Sequence, residues 1–154
     1  MARYTLTGLL LGMVGCTEPL PLGTTITPVG GGVAWEIQVR QSVKDWNNSL
    51  EKYCHTELFE VDREGFSVVY ELPDRWQFGN KIGMHTNEAI YVLHNTNNLL
   101  LRAVLNHELG HAFGLDHILR EDDPETLMYF KVSTEYYLPS EMDAEKVANN
   151  LECL

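Results

Sequence analysis

The sequence predicts one α+β domain, and three observations carry that expectation. Apolar residues recur every three or four positions between Val33 and Cys54, the period of a helix buried on one face. Short β-rich runs bounded by glycine, proline and acidic turns follow it. A second helical stretch then leads into closely spaced histidines, and a capping signal near the C-terminus opens a last helix. With 154 residues one domain is the natural count, and 44% apolar residues suffice for a single core.

Met1-Ala2-Arg3 is a short positive start, and Tyr4 to Gly15 is apolar with small residues at its end. Residues 1–15 therefore read as a secretory signal peptide and are excluded from the fold. The stretch closes on Met13-Val14-Gly15-Cys16, which resembles the lipobox of bacterial lipoproteins, with Met13 where leucine is usual. That resemblance implies cleavage before Cys16 and lipidation of that cysteine, hence a membrane anchor; a plain secretory signal is the alternative. Either way the domain is expected to work outside the cytoplasm. Residues 16–32, with three prolines and three successive glycines, read as a tether, in which Thr24 to Thr27 forms a first edge strand. The folded domain is expected over residues 33–154.

Within that domain, Trp35, Val39, Val43, Trp46 and Leu50 form the buried stripe of the first helix, which runs to about Cys54. His55 to Val61 and Phe66 to Leu72 read as strands joined by the turn Asp62 to Gly65. Pro73 to Met84 is irregular, and Ala89 to His94 is a further strand. Thr96 or Asn97 is the expected N-cap of a second helix, whose Leu99, Leu100, Ala103 and Val104 make a buried face. Arg120 to Glu125 reads as a solvated loop, and Ser140 with Asp143 signals the cap of a helix ending near Leu151.

Chemistry concentrates between Asn106 and His117. His107, Glu108 and His111 make H-E-x-x-H, and Gly114 and His117 extend it to H-E-x-x-H-x-x-G-x-x-H. Positions four apart share a helix face, so His107 and His111 can hold one metal ion. Gly114 is the residue type that turns a chain sharply, which returns His117 as a third nitrogen ligand. Three protein ligands with an open fourth position describe a catalytic zinc rather than a structural one. Glu108 projects beside the metal, where it can take a proton from the attacking water. Five fixed residue types coincide by chance on the order of one time in ten thousand in such a chain. The histidines His55, His85 and His94 lack ligand spacing.

The segment resembles the active-site helix of the metzincin zinc endopeptidases, and within them most closely the matrixins. The resemblance implies a zincin-like fold: a twisted, mixed, mostly parallel sheet above one Zn²⁺, two long helices behind it, and a small C-terminal subdomain ending in a helix. It implies that Met128, in Thr126-Leu127-Met128-Tyr129, forms a methionine turn, an apolar floor beneath the three imidazoles. Matrixins continue Met-Tyr-Pro, whereas Phe130 stands in the proline position here. Asp143 matches the residue that bonds the methionine-turn backbone, and Lys131 to Leu138 lies where the family builds its specificity pocket. One sheet strand, either Ala89 to Leu93 or the stretch around Ile82 to His85, is expected to pair with an extended polypeptide substrate.

The formal charge of −11 argues against nucleic acid, whose phosphates demand clustered Lys and Arg. Three cysteines leave Cys54 and Cys153 as an even pair if Cys16 is lipidated, and in an oxidising compartment a disulfide between them is expected. The expected activity is zinc-dependent endopeptidase cleavage of extracytoplasmic polypeptides by a monomer. The alternatives are a zinc-retaining peptide-binding module without turnover, and a narrow cell-wall or maturation peptidase.

Overall fold

A computed structural model describes residues 18–55, 58–71, 82–93, 98–119, 121–129 and 131–154. The signal stretch, Cys16, the N-cap candidates Thr96 and Asn97, His94, Arg120 and Phe130 lie outside the described residues. Among the described residues, five strands and three helices follow in the order β1 (Thr25–Val29), α1 (Gly32–Leu50), β2 (Glu60–Val61), β3 (Phe66–Glu71), β4 (Gly83–His85), β5 (Ala89–Leu93), α2 (Asn98–Ala112) and α3 (Glu141–Asn150). The sheet order is β2-β1-β3-β5-β4, parallel throughout except for β4, which runs antiparallel to β5 along one edge.

The stripe expected on α1 is buried in full. Trp35, Val39, Val43, Trp46 and Leu50 face the core with Ile26, Val68, Ile90 and Val92 from the sheet and Val104, Leu105 and Leu109 from α2. Trp46 stands edge-on to Phe113, and its indole donates a hydrogen bond to the carbonyl of Asn106 at 3.0 Å. The buried face of α2 is shifted from expectation. Ala103 and Val104 are buried, but Leu99 is 45% exposed, and Leu101 takes the inward place.

The N-terminal stretch departs from the tether reading. From Glu18 onward it is docked: the Leu20 amide bonds the Ala112 carbonyl at 2.8 Å, and Leu20 and Leu22 pack on the core. β1 is not an edge strand. It lies between β2 and β3, with Ile26 opposite both Val61 and Phe66. The glycine run is the reversal that links β1 to α1, since Gly30, Gly31 and Gly32 all have φ between +62° and +77°. A side chain at Gly31 would also collide with Trp35 and Tyr70. Three left-handed residues in succession require glycine, so composition that resembles a flexible linker here builds a fixed corner. Two further expectations shorten or move: β2 spans two residues of the expected His55 to Val61, and β4 begins inside the stretch read as irregular.

Beneath the sheet, the chain from Phe113 to Ser140 contains no helix or strand among its described residues, and then α3 closes the domain. Ser140 and Asp143 form the expected capping box. A disulfide joins Cys54, just past α1, to Cys153, just past α3, with a Cα separation of 5.0 Å across 99 residues of sequence. On the chain-entropy account a loop of that length stabilises the fold by up to about 4–5 kcal/mol. Cys153→Ser should therefore lower the unfolding free energy by about 2–5 kcal/mol, read from denaturant midpoints. Reductant should lower the wild type similarly and leave the variant unchanged.

Candidate active site

The two helical histidines are set by α2, and the third by the turn that ends it. The Leu115 amide bonds the Gly110 carbonyl at 2.9 Å and the Gly114 amide bonds the His111 carbonyl at 3.0 Å, a pairing that ends a helix around a left-handed residue. Gly114 is that residue, with φ +87°. Beyond it the Ile118 amide is tied to the Met128 carbonyl at 3.0 Å, which fixes His117 against the opposite wall. The His107, His111 and His117 ring centres lie 4.8–5.3 Å apart, and one nitrogen from each falls within 4.8 Å of the others.

The donor set fits a zinc ion. His107 Nδ1–H donates to the Leu127 carbonyl at 2.8 Å, and His111 Nδ1–H donates to the Leu115 carbonyl at 2.7 Å. Both tautomers are thereby fixed, and both Nε2 lone pairs are left for the metal. Burial lowers the His107 pKa to about 4, helped by the neighbouring His111 and His117 and opposed by the Leu127 carbonyl. A ligand imidazole must be neutral, so this shift favours metal loading at neutral pH. His85, on β4, is stacked 6.4 Å from His111 and outside the ligand group, and burial lowers its pKa to about 4 as well.

The segment carrying Met128 lies directly under this helix. Met128 is fully buried, and a Cβ on Gly110 would stand 2.3 Å from its sulfur. Asp143, also fully buried, accepts from the Leu127 amide at 3.1 Å, the Thr126 hydroxyl at 2.7 Å and the Ser140 amide at 3.0 Å. The turn that orients His107 is thus held by a single carboxylate. Asp123 departs from the solvated-loop reading: it is buried, bonds the Glu125 amide and meets the Ser140 hydroxyl.

Sequence reasoning missed a second buried network. Asp45 on α1 takes both arms of Arg102 on α2, and Asn106 Nδ2 donates to Asp45 at 2.9 Å and to the Tyr137 carbonyl at 2.6 Å. This fastens the loop beyond Met128 to both long helices, one residue before His107. Arg102 and Asn106 are four apart on α2, but nothing local marks Asp45, 57 residues before Arg102, as their partner.

Glu108 follows the first ligand and is 7% exposed, beneath the edge strand β4. A half-closed zincin-type centre, with an edge strand over a histidine helix, is the class these features define. The sequence comparison gives the family: the matrixin profile matches residues 35–149, and the chain belongs to the matrixins. It is a zinc metallopeptidase whose three-histidine group is His107, His111 and His117. Two solved structures of myroilysin share the fold. One has 15% identity, a TM-score of 0.59 and coverage of 86% of this chain and 94% of its own. The other has 14% identity, a TM-score of 0.60 and coverage of 88% and 86%. No curated protein sequence matches the chain.

Asp143→Asn should keep the size of the side chain while replacing one acceptor oxygen by donors. Loosening of the Leu127 carbonyl should weaken zinc binding by about 10- to 100-fold in a chelator competition. Wild-type zinc affinity in the folded variant would show that His107 does not depend on this contact.

Proposed function

We propose that Glu108 is the general base of an extracytoplasmic endopeptidase that takes its substrate as an extended strand along β4. The observation that carries this reading is the place of Glu108: next to ligand His107, almost sealed from solvent, and directly under β4, whose outer edge pairs with no other strand among the described residues. Zinc held by His107, His111 and His117 supplies a Lewis acid that makes water more acidic and polarises the scissile carbonyl. Glu108 accepts a proton from the attacking water and returns it to the departing amine. Met128 provides the dry floor below the imidazoles. β4 pairs with β5 on one side and offers its other edge to a substrate backbone, which suits tolerance of many sequences.

The Cys54–Cys153 bridge supports an oxidising compartment. The finer assignment is a lipoprotein, with signal 1–15, lipidated Cys16 and a monomeric catalytic part that takes in the docked residues from Glu18 onward; the pattern Met13 to Cys16 supports it. Cys16→Ser should move the protein from the membrane to the soluble fraction with unchanged kcat and KM. Wild-type protein recovered without lipid mass, beginning after Cys16, would refute the anchor.

Glu108→Gln tests the base. The amide is nearly isosteric, so zinc content should match wild type while peptide hydrolysis falls by at least about 10²- to 10⁴-fold. His111→Ala should instead lose zinc and activity together. Near wild-type turnover in Glu108→Gln would remove Glu108 from the mechanism. Zinc-loaded wild type that cleaves nothing in a broad peptide library would favour a binding module.

A further inference from the structure

Gly83 opens β4 at the point where the strand crosses Glu108. A Cβ placed there would stand 2.6 Å from Glu108 Oε1, 2.9 Å from Glu108 Cγ and 2.6 Å from Val104 Cγ1. Carbon contacts are favourable near 3.5–4.0 Å, so such distances are strongly repulsive. Backbone conformation does not explain the glycine, since Gly83 is not one of the glycines with positive φ. Space does. The strand cannot easily rise, because Gly83 pairs with the fully buried Val92, and the Leu93 amide holds the Ile82 carbonyl at 3.0 Å. Val104 is fully buried in the core and cannot easily yield. Two residues along the same face, His85 is accommodated beside His111, so the strand lacks a side chain only where it covers Glu108.

We infer that Gly83 is a positioning residue for the catalytic base. By carrying no side chain it lets β4 settle onto α2, which confines the Glu108 carboxylate to one orientation beside the metal site and excludes bulk water from above it. An alanine would press on both Glu108 and Val104, and the longer unbranched side chain of Glu108 yields more readily than the fully buried, β-branched Val104. The inference rests on Glu108 being the base, as proposed above.

The test is Gly83→Ala, measured on zinc-loaded protein beside Glu108→Asp and the double variant. Gly83→Ala should keep the zinc content and lower kcat by about 10- to 100-fold, the scale of a misplacement of about 1 Å. KM should move much less. A crystal structure of the variant should show the Glu108 carboxylate displaced by about 1 Å or more. The shorter aspartate removes the clash at residue 108 but not the one against Val104, so with Val104→Ala present throughout, adding Gly83→Ala to Glu108→Asp should cost less than about threefold further. Turnover of Gly83→Ala within about twofold of wild type, or losses that multiply in full when the two are combined in that Val104→Ala background, would overturn the inference. If Gly83→Ala fails to fold, Gly83→Ala with Val104→Ala is compared with Val104→Ala alone. A persisting loss supports the contact with Glu108, and full activity shows that the crowding was only against Val104. Glu108→Gln separates the two readings: an active Glu108→Gln removes the base, whereas an inactive one beside an active Gly83→Ala removes only the role of Gly83.

Discussion

The bond from His107 Nδ1 to the Leu127 carbonyl is the contact on which the rest of the site depends. A neutral imidazole has one donor and one acceptor, so committing Nδ1 commits Nε2 to the metal side. Leu127 can offer its carbonyl because its own amide is held by Asp143, at the start of α3. One buried carboxylate therefore links the cap of the last helix, the segment that carries Met128 and His107. This is why a helix on the far side of the cleft belongs to the metal centre.

One apolar cluster runs through both halves, with fully buried Ile26, Val68, Ile90 and Val92 on the sheet and with Leu127, Met128 and Val147 from the C-terminal part. The C-terminal part is pinned further by side chains that bond backbone. Asn106 holds Tyr137, Asp143 holds Leu127 and Ser140, and Asn150 holds the Gly114 carbonyl at 3.0 Å. A lost core methylene costs packing in proportion to the cavity it leaves, whereas a lost pin strands a buried polar group. The disulfide crosses between these halves, joining the end of α1 to the end of α3.

What was legible in the sequence was whatever depends on local spacing. Trp35 to Leu50 repeats every three or four residues, so its helix and buried face were readable. The ligand triad was readable because a helical turn and one glycine set its geometry. The serine–aspartate cap of α3 was readable because its two members lie three residues apart. What failed to show depends on partners distant in sequence. Gly30 to Gly32 has the composition of a linker, and only the strand before it and Tyr70 beside it reveal a fixed corner. Thr25 to Val29 holds a proline, a residue confined mostly to edges, yet it lies inside the sheet. Asp45 is an ordinary helical aspartate until α2 brings Arg102 and Asn106 to it.

The Asp45 network ties the loop beyond Met128 to both long helices. Asp45 is nearly sealed from water and would be costly to bury alone, but Arg102 supplies a two-armed partner and Asn106 a further donor. The same Asn106 amide reaches the Tyr137 carbonyl, so the energy that balances a buried charge also fixes one backbone point of the loop. Between that point and Met128, Val132 packs against the core, while Ser133 and Glu135 stay outside it. A segment held at Met128 and Tyr137 and seated by Val132 can vary an exposed position such as Glu135 without disturbing the bond that orients His107. The loop beyond Met128 and the metal site therefore share a support, since Asn106, which holds the Tyr137 carbonyl, lies one residue before His107.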